Sequence, residues 1–358
     1  MNIEAANNLR QKRDFIKFYY QVYQNDPNFI DLNIGNIKNF LYQKDHYAKR
    51  CRVQPILAKK GNSILAQAIL VSSNDSDELR ISFLEFLPKQ ISAVKKITSF
   101  AITLAKKLQL KKVIIGIDGH ISYGLGILQN NHTTYLCGCN YHPNYYVSEL
   151  EKLKLSKKEI AHSYFYDFNK IKLSPNQLQS VLKNKQIRTM SRFHFKRDIM
   201  IFGKLCNLAL QGTPHYSHKS PAEMYELIKP LRFLLHKENL LFIMASQKEV
   251  GFLFTHPNYT QLMPSGKINW PMFILNYLFR KNTINTLIFN TIGILPEYRH
   301  SSNSVALLFT AYQHFHNKYH SGISTFIQQK NHQAATLLSS FATNTSRKYF
   351  IYAIDINA

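Results

Sequence analysis

Residues 286–319 constrain the fold more than any other stretch. An apolar, strand-length run, 286–295, ends on Pro296-Glu297-Tyr298-Arg299, and a polar turn, His300-Ser301-Ser302-Asn303-Ser304, follows. Val305, Leu308, Phe309, Tyr312 and Phe315 then recur at helical spacing and mark the buried stripe of a helix. Strand, polar turn and helix in that order form one layer of an α/β domain. The start of the helix offers outward N–H groups and the positive end of its dipole, which suits an anion. Arg299 and His300 add side-chain donors, so a pyrophosphate fits there. An ordinary serine-capped helix fits the same residues.

The chain has 358 residues, too many for one ordinary domain and enough for two of roughly 150–180. In the first half, apolar patterning predicts strands at 15–23, 53–59, 63–72, 79–87, 112–117 and 161–168. Helices are expected there at 37–42, 91–108 and 141–155. The second half predicts strands at 187–193, 240–245, 250–256, 286–295, 323–328 and 348–354. Its helices are expected at 195–210, 221–231, 270–279, 302–319 and 331–341. Two helix starts are explicit, Ser174-Pro175 and Ser220-Pro221-Ala222-Glu223, the second a capping box with proline at the first helical position. The polar stretch 169–186 is the expected boundary. It divides the chain into a domain 1–170, a linker 171–186 and a domain 187–358.

Lys and Arg exceed Asp and Glu by 45 − 21 = +24. Such a field attracts nucleic acid, acidic lipid, acidic proteins or phosphorylated cofactors. Dispersed lysines in a Lys-, Asn- and Ile-rich chain account for the same number. No apolar run is long enough for a membrane-spanning helix. The polar stretch 1–13 lacks the apolar core of a signal peptide. Cys51, Cys137, Cys139 and Cys206 form no CxxC pair, and no HExxH occurs, so no metal and a cytoplasmic setting are expected.

Ile294-Leu295-Pro296-Glu297-Tyr298-Arg299, followed downstream by Asn331, Ala334, Leu337 and Leu338 and by the ending Arg347-Lys348-Tyr349-Phe350-Ile351-Tyr352, resembles the GNAT (Gcn5-related N-acetyltransferase) superfamily. The resemblance covers residues 187–354. The whole chain is similar to bacterial tandem proteins whose C-terminal half is the recognisable GNAT domain. The first half carries that likeness through Gly116–Gly126 and Asn140-Tyr141-His142-Pro143-Asn144-Tyr145-Tyr146. The resemblance implies an α/β (α+β) fold of two GNAT-like domains, each with a mixed, mostly antiparallel sheet flanked by helices. It implies acetyl-CoA or another acyl-CoA as substrate and an amine as acceptor. Backbone amides near Ile294 and Leu295 would hold the pantetheine, and Arg299, His300, Ser301, Ser302, Asn303 and Ser304 would wrap the pyrophosphate. Asn331 would face the pantetheine arm.

Ser302 and Ser304 stand where the family's loop has glycines. The family's frequent base position falls near Ile288 and its frequent acid position near Leu338, and neither residue titrates. Asn290, Glu297, Tyr349 and Tyr352 are the substitute candidates for catalysis. His215, Tyr216 and His218, just before the second capping box, are candidates for contact with the acceptor. In the first half, Leu87-Pro88-Lys89-Gln90 runs into its helix without such a loop, so that half is expected to be degenerate. The readings that remain are an acyl-CoA-dependent N-acyltransferase, a tandem fold kept for binding alone, a Fem-like aminoacyltransferase using RNA or acidic lipid, and a nucleic-acid binder.

Overall fold

The structure, a computed structural model, describes residues 1–133, 135–155, 157–171, 173–299 and 302–356. Its first half runs β1 (Asn2–Ala5), α1 (Leu9–Val22), α2 (Ile34–Leu41), α3 (His46–Arg50), β2 (Arg52–Lys60), β3 (Ser63–Ser72), β4 (Glu78–Phe86), α4 (Ile91–Lys107), β5 (Lys112–Ile115), β6 (Ile127–Leu128) and α5 (Tyr146–Glu151). There follow β7 (Lys157–Asp167), α6 (Pro175–Leu182), β8 (Gln186–Thr189), α7 (Phe195–Ala209), α8 (Pro221–Ile228), β9 (Leu240–Ala245), β10 (Lys248–Pro257) and α9 (Trp270–Arg280). The chain closes with β11 (Thr286–Ile294), α10 (Asn303–Phe315), β12 (Ser321–Ser324), β13 (Ile327–Gln328), α11 (His332–Ser340) and β14 (Asn344–Asp355).

Two compact units form. Unit 1 comprises Met1–His162, Met263–Trp270 and the tail from Arg347, and unit 2 comprises Ser163–Leu262 and Pro271–Ser346. Each is a mixed α/β unit with a mostly antiparallel sheet. In unit 1 the strand order is β1-β2-β3-β4-β5-β14, with β4 and β5 parallel. α4 lays Val94, Ile97 and Ala101 on this sheet against Ile56, Leu70 and Phe86. In unit 2 the order is β7-β12-β11-β10-β9-β8, with β11 and β12 parallel. Alternation along its strands feeds two cores. Phe242, Phe252 and Phe254 meet α7 and α8 on one face, while Leu241, Ile243 and Leu253 meet α10 on the other.

Residues 15–23, expected as a strand, lie almost wholly in helix α1. Their aromatic content suggests β structure, but Phe15, Phe18 and Tyr19 share one helical face and are buried. Asn8 and Gln11 close a capping box at the start of that helix. The division of the chain also differs from one along the sequence. β14 pairs with β5 (Tyr352↔Ile115), so the tail completes unit 1, while β7 pairs with β12 (Tyr166↔Gly322) in unit 2. A second excursion, 263–270, joins unit 1 through Asp31, whose carboxylate accepts the Ile268 N–H at 2.7 Å. Hydrophobic patterning identifies a strand but not the sheet edge it joins.

Candidate cofactor cleft

The cleft in unit 2 begins where two parallel strands part. β11 and β12 pair from Thr286↔Ser321 to Phe289↔Ser324 and then separate. Thr325 closes the junction, donating its N–H to the Phe289 carbonyl (3.0 Å) and its hydroxyl to the Asn290 carbonyl (2.7 Å). On the other side β11 stays with β10 as far as Ile294↔Gly251, after a bulge between Phe254 and Thr255. The Leu295 N–H donates to the Val250 carbonyl at 2.9 Å. Alternation then points the N–H groups of Ile292 and Ile294 away from β10, toward the edge that β12 has left. Among the described residues no strand pairs with that edge.

The edge opens into a cleft of about 850 Å³. Its walls are Ile292, Gly293 and Ile294 on β11, the turn 209–214, Arg299 and Ser304 ahead of and within α10, and residues 330–334 with Thr336 and Leu337 at the start of α11. A Cβ at Gly293 would lie 2.7 Å from the Phe252 ring and 2.9 Å from the Ala209 Cβ, so only glycine lets α7 approach the strand here. Two helices, α10 and α11, begin at this one cleft, and both dipoles favour an anion in it. The titratable side chains lining it, Arg299, Lys330 and His332, include no carboxylate.

Of the residues expected from sequence, Ile294, Arg299, Ser304 and Asn331 meet here. Arg299 donates to the Ile294 carbonyl (3.2 Å) and to the Ala209 carbonyl (2.7 Å), so it shields two oxygens that would repel a phosphate. The Asn331 side chain accepts the Ala334 N–H at 3.3 Å and caps α11. Leu295 is different, because its amide is spent on Val250. Asn303 is also engaged: it is buried, accepts from the Lys185 ammonium at 2.8 Å and donates to the Tyr298 carbonyl. Ser302 is exposed and precedes α10 with φ −68°, so neither a left-handed backbone nor glycine is needed there. His300 and Ser301 lie outside the described residues.

Glu297 is exposed in the turn Pro296–Tyr298. Tyr349 and Tyr352 are buried in unit 1, where burial raises both phenols above their ordinary range. Tyr216 donates to Asn207 of α7 at 2.7 Å, and His218 lies 3.1 Å from the same side chain, so the loop before α8 is pinned to α7. His215 takes φ +62° in that loop. None of these three lines the cleft, although their neighbours Thr213 and Pro214 do. Lys330, His332 and Ile292 carry no signal of their own in the sequence and join the cleft beside Asn331 and Ile294.

His256 had no signal in the sequence. It is buried on β10, and burial pulls its pKa down to about 4, so it is neutral at pH 7. Its Nδ1 lies 3.0 Å from the Pro257 carbonyl and its Nε2 3.4 Å from the Asn290 amide nitrogen. With the proton on Nδ1, both contacts are satisfied. Asn290 is thereby fixed at the point where the strands part, its Oδ1 accepting the Thr291 hydroxyl at 2.8 Å.

Unit 1 repeats this parting of strands and fills it. β4 and β5 pair from Glu78↔Lys112 to Ile81↔Ile115 and separate. The chain then folds back into the gap. The Asp118 carboxylate accepts the Phe83 N–H at 2.6 Å, and Ser82 donates to the Ile117 carbonyl at 2.9 Å. Asn140 donates to Asp118 at 3.2 Å. Burial pushes the Asp118 pKa up to about 6.

No family model and no curated protein matches the sequence. Solved structures do match in shape. A tandem GNAT protein from the clavulanic acid biosynthesis pathway superposes with a TM-score of 0.57 at 9% identity, covering 100% of this chain and 99% of its own. This is a tandem GNAT fold. A GCN5-related glucosamine N-acetyltransferase region of a fungal multi-domain GH3 β-N-acetylglucosaminidase gives 0.60 at 9% identity, over 99% of this chain and 38% of that one. An Enterococcus faecalis V583 protein described as a probable N-acyltransferase gives 0.52 at 10%, over 99% and 72%. In this chain β11 and β12 are the parallel pair that separates after Phe289↔Ser324, and α10 lies between them in the chain. Among the described residues no cluster of His, Cys, Asp and Glu could hold a metal, and no helix is long and apolar enough to cross a membrane.

Proposed function

We propose that unit 2 binds an acyl-CoA in this cleft and passes its acyl group to an amine by direct attack. The observation that carries the reading is the unpaired β11 edge, where the Ile292 and Ile294 N–H groups meet the starts of two helices. A pantetheine arm has amides that can extend a sheet edge, so it would lie along Ile292 and Ile294. Its pyrophosphate would take the N–H groups at the start of α10, the Ser304 hydroxyl and the charges of Arg299 and Lys330. The Asn331 amide nitrogen would reach the pantetheine.

The amine would arrive unprotonated beside Asn290, whose fixed Oδ1 orients one N–H. Its nitrogen attacks the thioester carbonyl, the C–N bond forms, the C–S bond breaks, the thiolate leaves as CoA and the released proton goes to water. Positioning supplies most of such a rate enhancement. Leu338 stands where the family often has a tyrosine acid, but it has no proton to give and lines a mostly apolar cavity of about 40 Å³ with Phe289, Phe309 and Phe341. Ile288 is fully buried. These two residues favour a second reading, acyl-CoA binding without turnover.

In unit 1 the corresponding edge is blocked by Asp118, which supports a structural role for that unit. The test is thermal unfolding with acetyl-CoA and longer acyl-CoAs, paired with free-thiol release in the presence of amines. Stabilisation with thiol release supports transfer, and stabilisation without release supports the second reading. No stabilisation by any acyl-CoA contradicts both.

A further inference from the structure

The helix α9 (Trp270–Arg280) turns its apolar side outward. Trp270, Met272, Ile274, Leu275, Leu278 and Phe279 are between 46% and 79% exposed, while Phe273 alone is buried. At 100° per residue these six cover roughly 200° of the helix circumference. The opposite side holds the helix down. Phe273 packs edge-on to Tyr259, Asn276 donates to the Leu262 carbonyl at 2.9 Å and Tyr277 to the Leu234 carbonyl at 3.4 Å. A stable surface helix ordinarily buries its apolar arc. This one is anchored through Phe273, Asn276 and Tyr277, and its apolar arc stays exposed.

Charge identifies the partner. The sequence has no Asp or Glu between Glu249 and Glu297, while Arg280 and Lys281 end the helix and are exposed. The turn fixed by Tyr277 carries exposed Arg232 and Phe233, and Arg192 precedes Phe193, which is 96% exposed. Burial first, and then the charges of Lys318, Arg192 and Lys281, oppose protonation of His236, while the Glu238 carboxylate favours it. A second copy of the chain would set these cations against their own kind, with Glu238 the carboxylate set beside them on each side. An anionic bilayer supplies both an apolar layer and negative head groups.

We infer that the exposed face of α9, with Phe233, Arg280 and Lys281, docks on an anionic lipid surface. This inference stands apart from the acyl-transfer reading and survives its failure. Trp270 is the chain's one tryptophan and begins α9, so it reports directly. The full chain is mixed with vesicles of phosphatidylcholine, with and without phosphatidylserine. Co-sedimentation with the phosphatidylserine vesicles, a shift of tryptophan emission to shorter wavelength, and weakening by added salt are expected. Leu275→Glu with Phe279→Glu should lower the partition roughly tenfold or more, and Arg280→Glu with Lys281→Glu should remove the preference for phosphatidylserine. All four positions are exposed, so the thermal unfolding of both variants should match that of the parent. Equal partition onto both vesicle types, no partition at low salt, or a dimer in sedimentation velocity that Leu275→Glu with Phe279→Glu dissociates would each overturn the inference.

Discussion

Arg299 reaches the cleft with two N–H groups already donated to the Ile294 and Ala209 carbonyls. Its substitution by alanine therefore removes a charge and uncovers two oxygens. Arg299→Ala should weaken acetyl-CoA binding by about 2 kcal/mol, and Arg299→Lys should recover only part of this, because an ammonium cannot span both carbonyls. Titration of each variant with acetyl-CoA measures it. His256 makes a different prediction. Its pKa falls from 6.5 to about 4 on folding, so the unfolded chain binds more protons between those values. The neutral side chain's contribution is complete above pH 6.5 and is lost as pH falls toward 4, by about 3 kcal/mol in all. His256→Gln should flatten that part of a stability–pH curve measured by urea unfolding. That Ile294, Arg299, Ser304 and Asn331 line one cleft was legible because a strand, turn and helix announce themselves locally. The unavailability of Leu295 was not, since it follows from the register of β11 on β10, which sets its N–H against the Val250 carbonyl. Nor was His256, which acquires its role only from the strand beside it.

Helix starts were the most readable elements. Ser174 and Ser220 each accept the N–H three residues on, as their sequence patterns predict. Ser220→Ala should cost about 1 kcal/mol, read as a shift in the urea midpoint at constant slope. Aromatic residues favour strands on average, but in helix α1 the three- and four-residue spacing of Phe15, Phe18 and Tyr19 decides. Gly126 shows what pattern alone misses. It has φ +80°, and a Cβ there would overlap the Tyr349 side chain, a contact made only because β14 closes unit 1. Gly126→Ala should destabilise by roughly 2 kcal/mol or more, measurable in the same unfolding experiment.

At the scale of the molecule, the exchange of closing strands ties the first half of the chain to its end. Removing residues from 347 onward takes β14 away from β5, together with buried Tyr349, Phe350 and Tyr352. The shortened chain should lose the cooperative unfolding of unit 1, visible as early loss of amide protection in β5. The class of fold was readable from the order of strands and helices, but this exchange was not, since equal apolar strands fit either edge. The two units also differ in what their parted strands hold: Asp118 fills one gap, and the other is open at Ile292 and Ile294. Calorimetric titration of the intact chain with acetyl-CoA tests that difference most directly. One saturable site per chain, weakened by Ser304→Asp and indifferent to Asp118→Asn, is the predicted result. No heat at concentrations on the order of millimolar, far above a usual KM, or binding that persists in Ser304→Asp and is lost in Asp118→Asn, would contradict it.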